Sequence, residues 1–123
     1  MEKRILWNPK IELMDEKQLE KFRMDKLKKQ LHYVYENSEL YRKKFDESGA
    51  TPDDIKDFET FRKLPIFLNK DGHRENQELS MEKYGHGLGT FVCAPFENLS
   101  LISSTSGTTG MPTYYLLMCN KNP

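Results

Sequence analysis

Between residues 103 and 113 the chain reads Ser-Ser-Thr-Ser-Gly-Thr-Thr-Gly-Met-Pro-Thr. Four hydroxyl side chains, Thr105, Ser106, Thr108 and Thr109, surround Gly107 and Gly110. A loop of this kind can turn backbone N–H groups and hydroxyls onto one small volume that suits an anion, with phosphate oxygens as the usual occupant. Composition alone favours a solvated turn or linker. Three details favour the anion cradle. The loop is short, it lies between two apolar strand-like runs that fix its ends, and Pro112 stiffens its exit while restricting Met111. The motif is not a Walker A sequence, because no lysine follows Gly110. Cradling therefore falls to hydroxyls and amides, with charge neutralisation left to Mg²⁺ or to residues elsewhere.

Other chemistry-bearing residues are sparse. Cys93 and Cys119 are the only cysteines and form no C-x-x-C. One disulfide is open to them but not implied, and they are too few for a metal centre. His32, His73 and His86 share no ligand spacing and read as surface or interface residues. Gly85-His86-Gly87-Leu88-Gly89 invites comparison with a dinucleotide fingerprint, but counting from Gly87 the third glycine position holds Val92. A flexible connector is the expected reading.

These residues must be positioned by a modest core. The chain has 123 residues, one domain's worth, with 31% charged and 37% hydrophobic residues and a mean hydropathy of −0.78. Aromatic residues at 11% argue against disorder and predict a core built partly from Tyr and Phe. Nineteen basic and nineteen acidic side chains cancel, which disfavours nucleic acid as a partner. The basic cluster Lys26-Leu27-Lys28-Lys29 reads as a solvated helix face. With no signal peptide and no long apolar run, no membrane partner is expected and the expected compartment is the cytoplasm.

The coarse pattern is helical first and strand-like last. Trp7-Asn8-Pro9 predicts an anchored, extended lead-in. Asp15 caps a helix from Glu16 to about Glu36-Asn37, with Leu19, Phe22, Leu27, Leu31 and Val34 as its stripe, broadened by Met24 and Tyr35. Ser38 caps a second helix to about Glu47, with Gly49 as its stop. A turn at 51–55 leads to a short helix from Phe58 to Lys63, stopped by Leu64-Pro65. Residues 69–90 read as short helix plus loop. Residues 91–94, 99–102 and 114–118 are strand-like. The expected fold class is therefore a partial α/β arrangement within 1–123, mainly helical over 1–90, with strands and the hydroxyl-rich loop over 91–123.

The residues then carry a resemblance. Thr105-Ser106-Gly107-Thr108-Thr109-Gly110-Met111-Pro112-Thr113 resembles the phosphate-binding loop of the adenylate-forming enzymes, the acyl- and aryl-CoA synthetase superfamily. Pro-Thr after the last glycine resembles the phenylacetate–CoA ligase branch. Val34-Tyr35-Glu36-Asn37-Ser38-Glu39-Leu40-Tyr41-Arg42-Lys43-Lys44-Phe45 is similar to that branch's N-terminal helices, as are Gly49 to Ile55, Lys63-Leu64-Pro65 and Lys70. Trp7-Asn8-Pro9 and Glu12 also fit.

The resemblance implies the leading part of the large N-terminal domain of a two-step ligase using ATP, Mg²⁺ and CoA. A carboxylic (aryl) acid attacks the α-phosphate of ATP, and CoA then displaces AMP. By position, Thr105, Ser106, Thr108, Thr109 and Thr113 belong to the ATP phosphate grip, and Gly107 and Gly110 let the backbone approach. The loop departs from the family where Met111 and Thr113 stand at positions that commonly hold lysine in one branch or another, so it has no cation of its own. The family's acid pocket, ribose- and Mg²⁺-binding acidic residues and mobile C-terminal domain are expected to lie outside this chain. The chain alone is accordingly expected to be inactive, with a complementing C-terminal portion as a partner. The alternative is a non-catalytic binding module that docks through its helical layer and exposed Tyr and Phe side chains.

Overall fold

The structure is a computed structural model, and it describes residues 5–65, 67–106 and 110–118. Helices α1 (Pro9–Glu12), α2 (Glu16–Asn37), α3 (Glu39–Ser48), α4 (Phe58–Arg62) and α5 (Lys70–Tyr84) come first. An antiparallel hairpin of β1 (Leu99–Ser104) and β2 (Tyr114–Met118) completes the order.

Local capping sets the helix starts. The Asp15 carboxylate accepts the Gln18 N–H at 2.8 Å, and the Gln18 side chain accepts the Asp15 N–H at 3.1 Å. This reciprocal box satisfies two donors that the first turn of α2 would otherwise leave open. Ser38 ends α2 and begins α3, its hydroxyl accepting the Tyr41 N–H at 3.4 Å. Asp57 and Thr60 form a further box at α4. The lead-in differs from expectation. Pro9 starts the single turn of α1, closed by Asn8 N–H donating to Glu12 Oε1 at 2.6 Å. Trp7 is 97% exposed, not packed as an anchor against the described residues.

The apolar core lies where α2 and α3 meet the segment after the 3-10 turn at Pro52–Asp54. Leu31, Phe45 and Ile55 are buried, with Met24, Leu27, Tyr35, Phe61, Leu64 and Phe67 packed around them. Phe45 is central: the rings of Tyr35 and Phe67 meet it edge-on at 5.6 and 4.9 Å. Edge-on packing places a ring's positive rim against the negative face of its neighbour.

Helix α5 is longer than the expected short helix. Asn69 caps it by accepting the Gly72 N–H at 2.8 Å, and it runs 15 residues to Tyr84, with Gly85 as its C-cap. Its inward face is polar, carrying Asn76, Gln77 and Ser80, so no apolar stripe marks it in the sequence. Those side chains organise residues 85–90. The fully buried Ser80 hydroxyl shares its proton between the carbonyls of Gln77 and His86 at 3.0 and 2.6 Å and accepts the Gly89 N–H at 2.8 Å. Thr90 Oγ1 donates to Asn76 Oδ1 at 2.6 Å. The glycine-rich 85–89 segment is thus tied to α5 rather than a flexible connector. Gly89, at φ +99°, has no room for a side chain: a Cβ would lie 2.2 Å from the Phe91 ring.

The expected strand at 91–94 is not formed: Phe91 lies in a turn, Ala94 in a bend and Val92 and Cys93 between them in irregular backbone, and the Cys93 carbonyl is taken by the Tyr33 hydroxyl rather than by a strand. In the hairpin, Ile102 faces Leu116 and Ser104 faces Tyr114, with an irregularity between Leu99 and Leu101. Leu101, Ile102, Tyr115 and Leu117 are each more than half exposed.

Candidate functional site

The base of the 103–113 loop is closed by two threonines. Beyond the last paired residues, Ser104 and Tyr114, the Thr105 N–H donates to the Thr113 carbonyl at 3.0 Å. The Thr113 N–H donates to Thr105 Oγ1 at 3.1 Å, and the two hydroxyls lie 3.2 Å apart. Thr113 is 2% exposed, whereas Thr105 and Ser106 are exposed. A hydroxyl has one proton and two lone pairs. If Thr113 donates to Thr105, then Thr105 Oγ1 accepts twice and keeps its own proton for a group outside the loop.

The other edge of the exit segment is held by Gln77 of α5. Gln77 Nε2 donates to the Pro112 carbonyl at 2.9 Å, and Gln77 Oε1 accepts the Tyr114 N–H at 2.9 Å. Gln77 is 1% exposed. Thr113 therefore sits between two partners: its own N–H and C=O turn to Thr105, and the groups flanking it turn to Gln77.

The residues expected from sequence to bind phosphate are placed unevenly. Thr105 and Ser106 lie at the mouth. Gly110 is exposed with φ +142°, a backbone conformation side-chain-bearing residues rarely adopt, although a Cβ there would meet nothing within 4 Å. Thr113 lies at the buried base. Gly107, Thr108 and Thr109 lie outside the described residues. Sequence reasoning missed Gln77, because a single glutamine in a polar stretch carries no signal until the helix turns it toward residues 112–114.

The loop segment carries no cationic side chain of its own: no Lys or Arg occurs within residues 103–113. Glu78 and Glu82 of α5 line a pocket with Met111 and Tyr114. His73, one turn before Gln77, packs edge-on against Phe91 and Tyr115 at 4.5 and 5.6 Å. Burial lowers its basicity, which favours the neutral ring. Beside β2, a groove of about 600 Å³ is lined by Tyr33, Tyr41, His73, Phe91, Cys93 and Leu116, among others. The Tyr33 hydroxyl donates to the Cys93 carbonyl at 2.7 Å, and burial raises the Cys93 thiol above its ordinary value. Among the described residues there is no group of three His, Cys, Asp or Glu side chains placed to hold a metal. None of the described helices is long and apolar enough to cross a membrane.

No protein-family model matches the chain. It is 35% identical over 103 residues to the phenylacetate–coenzyme A ligase of Escherichia coli (strain K12), covering 84% of this chain and 21% of that protein. It is 33% identical to the enzyme of the same name from Aromatoleum evansii, with the same coverage. In fold it matches 2-hydroxyisobutyryl-CoA ligase in complex with 2-HIB-AMP and CoA in the thioesterification state. That match has a TM-score of 0.76 and 29% identity, over 92% of this chain and 23% of that one. The open conformation of that ligase gives a TM-score of 0.75 at 26% identity, over 92% of this chain and 24% of that one. The chain spans about a fifth of the length of the curated relatives it matches. Alike in sequence over most of its residues and in fold over 92% of them, the chain matches part of the phenylacetate–CoA ligases and part of the adenylate-forming acyl-CoA ligase fold.

Proposed function

We propose that this chain is the N-terminal, phosphate-gripping part of an ATP-dependent aryl- or acyl-CoA ligase acting in the cytoplasm. In the complete reaction a carboxylate oxygen bonds to the α-phosphorus of ATP as the bond to pyrophosphate breaks. The CoA thiolate then bonds to the acyl carbon, AMP departs, and a thioester remains. The chain's share of this work is positioning. Hydroxyls of Thr105, Ser106, Thr108 and Thr109, with the backbone at Gly107 and Gly110, hold phosphate oxygens in place for in-line attack. Thr113 belongs to the site through Thr105, whose hydroxyl oxygen accepts the Thr113 N–H and lies 3.2 Å from the Thr113 hydroxyl.

The residues fit an anion without supplying charge. Hydroxyl donors stand at the mouth of a loop whose ends are pinned, and an exposed glycine leaves space on one side. Mg²⁺, when bound, would neutralise phosphate charge that this lysine-free loop leaves uncompensated. Among the described residues no three His, Cys, Asp or Glu side chains are grouped to form a complete metal cage, so the phosphates themselves would supply part of the Mg²⁺ shell.

The observation that carries the reading is the pinned hydroxyl-rich loop in a chain that resembles phenylacetate–CoA ligases in sequence. Because the chain spans about a fifth of such a relative, the acid, ribose and CoA contacts are assigned to a complementing C-terminal portion. The test supplies MgATP, CoA and an aryl acid to the chain alone and to the chain mixed with the C-terminal portion of a relative. Pyrophosphate release by the pair and not by the chain is expected. Release by the chain alone overturns the division of labour, and silence from the pair overturns the ligase reading.

A further inference from the structure

We propose that Gln77 is a positioning residue for the phosphate loop, its side-chain amide standing in for a missing neighbour strand at Thr113. This role rests on the phosphate-grip reading and extends it to a residue outside the loop.

Backbone periodicity supplies the reason. In an extended segment, the C=O of one residue and the N–H two residues later point to the same edge, where an adjacent strand would bond both. At the loop exit that pair is Pro112 C=O and Tyr114 N–H. The opposite edge, Thr113 N–H and C=O, is already taken by Thr105. A primary amide offers one donor and one acceptor side by side, as a strand does, and Gln77 supplies both at 2.9 Å. Ordinary backbone cannot fill this edge, because the neighbouring element is a helix whose N–H and C=O groups are consumed internally. Burial of Gln77 makes the pairing consequential, since losing either partner leaves a buried polar group unsatisfied.

The consequence reaches the loop through Pro112. Its ring fixes φ, so holding its carbonyl and the Tyr114 amide fixes the direction in which the chain leaves Gly110 and Met111. Thr105 is then oriented through Thr113. Gln77 thereby sets the mouth from below without touching phosphate.

The test compares the full chain with Gln77→Met and Gln77→Glu by amide hydrogen exchange and by titration with MgATP and with inorganic tripolyphosphate. Gln77→Met keeps the volume and removes both hydrogen bonds. Its expected result is faster exchange at the Tyr114 amide with the Phe45 core unchanged, and phosphate binding weakened about tenfold, equivalent to ~1.4 kcal/mol. Should Gln77→Met fail to fold, Gln77→Glu decides. It keeps the acceptor for Tyr114 N–H but at neutral pH presents a second acceptor to the Pro112 carbonyl. Protonation restores an O–H donor, so its binding relative to wild type recovers as pH falls through the new carboxyl's titration.

A folded Gln77→Met with unchanged Tyr114 exchange overturns the proposal, as does a Gln77→Glu defect that ignores pH. Altered Tyr114 exchange with unaltered phosphate binding also overturns the positioning role. If wild type binds neither probe while Tyr114 exchange responds to both variants, the clamp stands and the phosphate reading is what fails.

Discussion

Two buried regions of this chain are built on opposite chemistry. Around Phe45 the interior is apolar and aromatic, joining α2, α3 and the segment through Ile55. Beneath α5 the buried side chains are Gln77 and Ser80, with Thr90 and Thr113 facing them from later segments. An apolar interior is stabilised by area removed from water and is largely indifferent to direction. A polar interior is stable only when each group meets a partner at the right angle and distance, so it specifies geometry. The first region makes the helical layer; the second determines where the 85–90 segment and the loop exit sit.

That contrast orders the expected effects. Phe45→Ala should be the most damaging change, about 3–5 kcal/mol, from lost burial and the cavity left behind. Urea unfolding of the variant measures it, and a cost near that of a surface change would mean the Phe45 cluster is not the main core. Ser80→Ala comes next. It strands the Gly89 N–H and the His86 carbonyl, at roughly 1–3 kcal/mol. It should also raise exchange at the Gly89 amide specifically, whereas Phe45→Ala should raise exchange broadly. Identical exchange patterns from the two variants would erase the distinction between the regions.

The smallest effect concerns the surface tie between α3 and α5. Glu39 accepts from Lys83 Nζ at 2.6 Å and from the Tyr84 hydroxyl at 2.5 Å. The hydrogen bond from Lys83 first, and that from Tyr84 second, hold the Glu39 carboxyl below its ordinary value. A carboxyl whose folded value is depressed contributes fully above its unfolded value, and that contribution is lost as pH falls through the folded value. Both side chains are about half exposed, so solvent screens most of the gain. Glu39→Gln should therefore lower the melting temperature slightly at neutral pH, and the gap from wild type should close in acid. A gap that widens in acid would show that Glu39 does not stabilise through its charge.

The same contrast explains what could be read from the sequence. Helices α2 and α3 are legible because Asp15 and Ser38 announce their starts and Leu31 and Phe45 fall on their apolar faces at helical spacing. Both hairpin strands are legible as apolar runs. Helix α5 is foreshortened in the sequence because its inward positions are Asn76, Gln77 and Ser80, which periodicity counts as solvent-facing. The strand expected at 91–94 fails for the complementary reason: Phe91 and Val92 have the composition of a strand, but among the described residues no strand pairs with them. Trp7 promises an anchor and lies in solvent.

By itself, then, the sequence determined the helical caps, the apolar core of the helical layer and the kind of loop that Thr105 to Thr113 can form. Those features depend on neighbours within a few residues or on burial, and both are written in residue type and spacing. Only the tertiary structure decided that Thr113 is a buried strut and that Gln77 clasps the loop exit from 35 residues away. A hydrogen bond requires a particular donor, acceptor and angle, and two side chains distant in sequence acquire that alignment only when the chain has folded around them.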